Sequence, residues 1–277
     1  MKEYLFWILV AVALVYLIFF SAKGQCPLEK NFYEQEAGSI KEIKKQKTLE
    51  EGLNLLKNRR DNDASAIFEK ALLEQPDNLD ALWGKAEVLR RKRNYKESEE
   101  LLSRILSRNP GHSPSLISLS YIRYKDNRFN EALKLINKVL KGNYADRESE
   151  ALAYTMLAAI NTRRAKEGWF FNKLIYGAQV KCYFLKAKEL APDLPETSLG
   201  LGTFYLLAPA IVGGNLYKAM EELELAVKCA PDFATANARL AQAYKKKGLP
   251  DKYSFYIARA EALDPGNEAL LEIKQDR

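Results

Sequence analysis

Proline recurs in this 277-residue chain at the close of amphipathic runs: Gln75-Pro76-Asp77, Asn109-Pro110-Gly111, Ala191-Pro192-Asp193, Ala230-Pro231-Asp232 and Asp264-Pro265-Gly266. The prolines are 34, 82, 39 and 34 residues apart, and the interval of 82 divides into 34 and 48 if one unit ends without proline near Asn143-Tyr144. A fixed period of this length marks a stack of supersecondary units, each burying its apolar face against its neighbours. Six units result, two of them lengthened by about 5 and 14 residues. Hydrophobic content of 47% allows a substantial core, and 14 Gly with 10 Pro are too few for collagen-like or disordered material.

Aligned on the prolines, the first unit places Gly52, Leu55, Ala64, Phe68, Ala71 and Pro76, and the second places Ala86, Leu89, Tyr95, Leu102 and Pro110. The third supplies Leu119, Phe129 and Ala132; the fifth Leu201, Gly202, Tyr205, Ala219, Ala226 and Pro231; the sixth Leu240, Ala241, Tyr244, Gly248, Ala260 and Pro265. In this register the chain resembles the tetratricopeptide repeat family over about residues 45–266. The resemblance implies an all-α, right-handed solenoid of about six helical hairpins: 45–78, 79–112, 113–146, 147–194, 195–233 and 234–266, with a capping helix at 267–277. Small residues recur because the two helices of one hairpin and the first of the next cross closely, where a large side chain would hold them apart. The fourth unit is the weakest match. Its helices are expected at 149–164 and 178–191, with a long insert between them.

Ahead of the repeats, Tyr4 to Phe20 is seventeen residues without a charge. As a helix it spans roughly 25 Å, slightly short of a ~30 Å hydrocarbon core and longer than a ~7–15-residue signal-peptide core. Residues 1–22 therefore read as a transmembrane or signal helix, and 23–44 as a polar linker. Its length favours a retained single-pass anchor in the inner or cell membrane. The alternative is cleavage after Gly24, with small Ala22 and Gly24 flanking Lys23, and secretion to the periplasm. Lys2 before the segment is matched by Lys23 and Lys30 after it, so charge does not orient it. The three-residue head favours delivery of the repeats to the periplasmic or extracellular side. Lys23-Gly24-Gln25 does not resemble the triplet that precedes a lipid-modified cysteine, which argues against lipidation at Cys26.

Enzyme signals are few, and no cofactor, metal or catalytic residue is expected. The single histidine, His112, falls in a turn and reads as solvated surface, and no Cys/His cluster has zinc spacing. Cys26, Cys182 and Cys229 imply no disulfide framework; Cys182 and Cys229 read as core thiols. A net charge of +7 and a pI of 9.1 suggest nucleic acid, but the membrane-directed segment argues against that partner.

Three surfaces are candidates for function. In the resembled family the first helix of each hairpin lines a concave groove. Carried over residue by residue, that wall includes Leu49, Leu53 and Leu56; Trp83, Glu87, Arg90 and Arg91; and Ile117, Tyr121, Tyr124 and Lys125. Further along lie Glu196, Leu199, Thr203, Leu206, Gln242, Lys245 and Lys246. The carboxylate clamp of chaperone-binding members is absent, since Leu49 and Leu53 stand where it needs Lys and Asn. Secondly, the turns within hairpins collect Lys57, Arg59 and Arg60; Arg90 to Arg93; Arg123, Lys125 and Arg128; Arg163, Arg164 and Lys166; and Lys245 to Lys247. Stacking aligns these into a basic edge. Cations favour helix C-termini, or the edge serves an anionic lipid or acidic partner. Thirdly, the aromatic insert around Trp169, Phe170 and Tyr176 either folds over the groove or presents a sticky patch. A shorter insert, Ala208 to Asn215, is expected to stop one helix with Pro209 and cap the next with Asn215; it is a reshaped turn only, or its free N–H groups offer a place for a small anion.

The expected function is a membrane-tethered scaffold that binds a peptide or protein partner, within an envelope-assembly, secretion or transport complex. The alternative is a periplasmic small-ligand component resembling the repeat subunits of tripartite transporters, with Trp169, Phe170 and Tyr176 enclosing the ligand.

Overall fold

The structure, a computed structural model, describes residues 46–142, 145–167 and 170–275; the side chains of residues 166–176 and of Ala178 are outside that description. The anchor at 1–22, the linker at 23–44 and the lipidation site Cys26 therefore lie outside the described residues. The chain divides into two compact units at Thr48 and Leu49, and the second, Leu49–Arg277, carries the repeats.

Helix α1 is described over 46–57. It is followed by α2 (Asp61–Glu74), α3 (Leu79–Arg91), α4 (Tyr95–Arg108), α5 (Ser113–Lys125), α6 (Phe129–Lys141) and α7 (Arg147–Glu167). Then come α8 (Phe170–Leu190), α9 (Pro195–Leu207), α10 (Leu216–Cys229), α11 (Ala234–Lys247), α12 (Pro250–Leu263) and α13 (Glu268–Gln275). No strand occurs among the described residues. The helices pair in order, odd with even, into six hairpins that end on α13.

Local chemistry sets these boundaries. Asn78 caps α3 by accepting from the Ala81 N–H at 2.9 Å, and Asn215 caps α10 by accepting from Lys218 at 3.0 Å. Pro195 and Pro250 open α9 and α12, where a missing N–H costs no helical bond. Helix α6 buries Ala132, Ile136 and Val139, four and three residues apart on one face. The recurrent small residues Ala64, Ala86, Ala132, Ala219 and Ala260 are wholly buried. Gly84 takes the same logic further: a Cβ there would stand 2.3 Å from the Phe68 ring.

The first helices of successive hairpins touch one another, α3 on α5, α5 on α7, α7 on α9, α9 on α11 and α11 on α13. The second helices form no such chain of neighbours. A stack in contact on one side and splayed on the other must curve toward the contacted side, so the odd-numbered helices line the inside.

Three expectations need correction. The fourth hairpin has no separate long insert: α7 and α8 are each 21 residues long, against 13 or 14 in the other hairpins from α2 onward, and the extra length is helical. Cys182 is exposed, because the core face of α8 is Val180, Phe184 and Ala187 and position 182 points away from it. His112 is not a solvated turn residue. It caps α5, its Nδ1 accepting from the Ser115 N–H at 3.3 Å, and its side chain is 12% exposed. Among the described residues no helix is long and apolar enough to cross a membrane.

Candidate partner-binding surface

The inner wall is built on a buried charge network. Glu87 of α3 is 5% exposed, and its carboxylate accepts from Arg90 Nε at 2.7 Å, Arg91 Nε at 2.9 Å and the Ser118 hydroxyl at 2.9 Å. Arg91 also donates to Asp61 at 2.8 Å and to the Leu56 carbonyl at 2.7 Å, which ties α3 back to the first hairpin. Burial penalises the Glu87 charge, yet Arg90, Arg91 and the Ser118 hydroxyl outweigh it and hold the carboxyl well below its usual range. Burial and then the neighbouring Arg91 charge lower the Arg59 guanidinium to about 10, against the pull of Glu196, Asp61 and Glu87. Three guanidinia thus face three carboxylates across hairpins one, two and five.

This network orients the aromatic wall. Trp83 Nε1 donates to Ser118 Oγ at 3.2 Å, so the same hydroxyl joins the indole to Glu87. The Arg90 guanidinium lies 4.1 Å over the Tyr121 ring, and Tyr121 sits 6.1 Å from Tyr124. Trp83, Arg90, Tyr121, Tyr124 and Lys125 are all partly exposed. Of the other groove residues, Thr203 and Gln242 are also partly exposed, and Gln242 accepts from Arg239 at 3.0 Å. Glu87 is spent on its arginines. Leu56, Ile117 and Leu206 belong to the core.

The basic edge splits into two halves with different environments. In the first half the turn cations reach across to the C-terminal hairpins. Lys57 donates to Glu148 at 2.7 Å, Arg59 to Glu196 at 2.5 Å, Arg93 to Asp264 at 2.8 Å and to the Gly266 carbonyl at 2.9 Å, and Lys125 to Glu268. Glu148, Glu196 and Glu268 each sit in the first turn of α7, α9 or α13. Cations at the ends of early inner helices thus meet acids at the beginnings of later ones, each charge favoured by its own helix dipole. The Arg59 guanidinium also lies 3.8 Å over the Phe233 ring, and its Nε has no partner among the described residues. The acidic partner of these arginines and lysines is the chain itself. Arg60 and Arg128 bond locally, to Asp63 and Glu131, and Arg163 reaches Asn127 in the turn of the preceding hairpin.

The backbone underlines this seam. Arg59, Arg93 and Asn127 have φ of 64°, 67° and 60°, the left-handed conformation that glycine adopts freely; Gly248 has φ 78° in the sixth hairpin's turn. Holding an L-residue there costs about 1–2 kcal/mol. Arg59 and Arg93 bear that strain and are two of the four seam cations.

The later half of the edge is unpaired. Lys246 donates to the Leu206 carbonyl at 3.0 Å and Lys247 to the Tyr217 hydroxyl at 2.6 Å, while Lys245 lies 5.8 Å over the Tyr253 ring. None of the three has a carboxylate within 4 Å among the described residues. Beside them, Pro209 stops α9, Ala210–Val212 makes one 3-10 turn, and Gly213 takes φ 105°. Gly214 is tightly held, since a Cβ would stand 1.9 Å from the Ala208 carbonyl oxygen. Of the two readings the insert is a reshaped turn and not an anion nest: Gly213, Gly214 and Asn215 N–H groups already donate to Ala210, Pro209 and Tyr205 carbonyls at 2.9–3.0 Å.

Trp169 lies outside the described residues, as do the side chains of Phe170 and Tyr176, so an aromatic enclosure for a small ligand lies outside them as well. Sequence reasoning missed the seam and the Glu87 network. One signal was available: Arg59 and Arg93 stand 34 residues apart at the turn position that Gly248 fills in the sixth hairpin.

A family model described as tetratricopeptide repeat matches residues 49–113. No curated protein matches the sequence. Among solved structures, human IFIT1 with a capped RNA is similar over 88% of this chain and 58% of its own, at TM-score 0.59 and 18% identity. The Cut9–Hcn1 hetero-tetramer is similar over 82% of this chain and 42% of its own, at TM-score 0.56 and 14% identity. The Pseudomonas aeruginosa PilF structure aligns over 84% of this chain and 97% of its own, at TM-score 0.47 and 18% identity. At these identities the likeness to IFIT1 and Cut9 concerns the fold alone, and this chain spans about half their length.

Proposed function

We propose that this chain is a tetratricopeptide-repeat protein whose repeats form a scaffold holding a protein partner at a membrane, with a segment of that partner seated on the inner wall. The observation that carries the reading is the partly exposed Trp83, Arg90, Tyr121 and Tyr124 set, held in place by the buried Glu87 carboxylate and Ser118 hydroxyl. Aromatic and arginine side chains make the strongest binding anchors, and anchors fixed before binding lose little conformational entropy on association. The wall favours an amphipathic segment whose apolar side meets the rings.

The tether in this reading is Tyr4 to Phe20, kept as a single-pass anchor with the repeats on the periplasmic or extracellular side. The assembly served is an envelope-assembly, secretion or transport complex.

Crosslinking in native membranes followed by mass spectrometry tests the reading. Trp83→Ala with Tyr121→Ala is expected to lose the principal crosslinked partner while the helical circular dichroism is kept. An unchanged set of partners in a folded double variant refutes the wall as the binding site.

A further inference from the structure

The turn between α9 and α10 exposes several apolar side chains beside cations. Ile211 is 94% exposed at the tip of the 3-10 turn, with Val212, Leu207 and Tyr217 also exposed around it. A soluble domain leaves such groups in water at a cost of roughly 1 kcal/mol or more each unless something covers them. Leu249, in the next turn of the stack, extends the same surface past Lys247, which bonds Tyr217.

The cations form a rim. Lys181 and Lys218 lie 6.0 and 5.9 Å from the Tyr205 ring, directly behind the loop, and a Cβ on Gly213 would stand 3.8 Å from Lys181 Nζ. On the other side stand Lys245, Lys246 and Lys247, and Lys252 lies 4.9 Å over the Tyr244 ring. None of these six ammonium groups has a carboxylate within 4 Å among the described residues, and their contacts are to rings, a hydroxyl and a carbonyl. The nearby acids Glu221, Glu222 and Asp251 pair with none of them. The contrast with the first half of the edge is the decisive point: there each seam cation has its own acid, and here six in a row have none.

We infer that this edge of the fifth and sixth hairpins docks on an anionic lipid bilayer, Ile211 and Val212 entering the interface and the six lysines meeting headgroups. A bilayer fits better than an acidic protein, because the apolar side chains sit on a protruding convex tip rather than in a pocket. A flat fluid surface accepts such a tip, and lysine stems reach headgroups from its flanks. The inference rests on the reading that the chain resides at a membrane and adds which face lies against it.

The test uses the full chain with Cys26, Cys182 and Cys229 replaced by serine, and an environment-sensitive fluorophore at Ile211→Cys or, as the distant control, at Leu73→Cys. Each is mixed with vesicles of phosphatidylcholine alone or with added phosphatidylglycerol, some carrying a lipid-borne quencher. Docking predicts a blue-shifted and quenched signal at position 211 with the anionic vesicles, and none at position 73, which is 86% exposed. Lys245→Gln, Lys246→Gln and Lys247→Gln together are expected to weaken docking roughly a hundredfold, at about fivefold per lysine near a charged surface. Lys181→Gln with Lys218→Gln, which breaks no backbone contact of those ammonium groups, is expected to weaken docking about twenty-fivefold. If the chain floats with vesicles but position 211 stays unquenched, the docking face is wrong while the tether stands. A chain that never floats overturns both. A shift at 211 produced by an acidic peptide and not by vesicles assigns the edge to a protein and overturns the inference.

Discussion

Arg59 at the tip of the first hairpin donates to Glu196 at the start of α9, joining positions 137 residues apart. Its guanidinium is stacked on Phe233 and only 11% exposed, whereas Arg93, its counterpart one repeat later, is 48% exposed on Asp264. Both residues occupy a strained left-handed conformation, so replacement by glycine removes strain and an ion pair together. For Arg93 the exposed pair is worth about 0–1 kcal/mol and the strain relief about 1–2, so Arg93→Gly should leave stability within about 1 kcal/mol of the parent. For Arg59 a largely buried pair is broken at about 3–5 kcal/mol, and Arg59→Gly should lose about 2 kcal/mol net. Urea denaturation checks this, and equal losses at both sites would contradict the seam's unequal burial.

Glu87→Gln removes the one carboxylate shared by Arg90 and Arg91 and leaves their charges buried. A loss of about 3–5 kcal/mol at neutral pH is expected. The sign with pH follows from the depressed carboxyl: its stabilisation is complete above the ordinary carboxylate value of 4.5 and is lost as pH falls through and below it. The stability gap between parent and variant should therefore narrow below about pH 4.5. A gap constant from pH 7 to pH 3 would show that Glu87 acts by packing alone.

Gly84→Ala tests the close helix crossing. A methyl group 2.3 Å from the Phe68 ring must displace it, and such overpacking costs about 1–3 kcal/mol, against roughly 1 kcal/mol gained in helix propensity. Phe68 is fully buried and has nowhere to retreat, so a net loss is expected. Phe68→Leu in the same chain should recover part of it. Stabilisation by Gly84→Ala alone would mean that α2 and α3 cross less tightly than described.

The seam itself responds to charge. Arg93→Glu with Lys125→Glu places like charges against Asp264 and Glu268, and the stack should open, raising the radius of gyration in small-angle scattering. Adding Asp264→Lys and Glu268→Lys should close it again. Because these pairs are exposed, high salt should expand the parent in the same direction but less. No change in radius for the double reversal would remove the seam as a determinant of curvature.

The hairpin period was legible because it is local: proline, small residues and apolar spacing act within a few turns, and caps such as Asn215 are read from a neighbouring N–H. The seam was not, because Lys57 and Glu148 are 91 residues apart and Arg93 and Asp264 are 171 apart, brought together only by the summed curvature of the stack. The turn cations therefore read as a free edge until their partners were located. Cys182 was misplaced within an unchanged register: Val180, Phe184 and Ala187 stand before Pro192 as Ala64, Phe68 and Ala71 stand before Pro76, which leaves position 182 on the outer face of α8. The aromatic wall was named from the family's pattern, and the ties through Glu87 and Ser118 that hold it belong to three-dimensional packing.

The clasp between early turns and late helix starts has a consequence for how such a domain can change over generations. An open repeat array gains or loses a hairpin at little cost, because each unit knows only its neighbours. Here removing one hairpin would slide every later acid past its assigned cation by a full unit, so the number of hairpins becomes a fixed quantity. Length can then be added only where the clasp does not reach. The two lengthened hairpins are the fourth and fifth, which hold the acids Glu148 and Glu196 at the starts of α7 and α9, and their added length lies at the opposite, turn end of those helices.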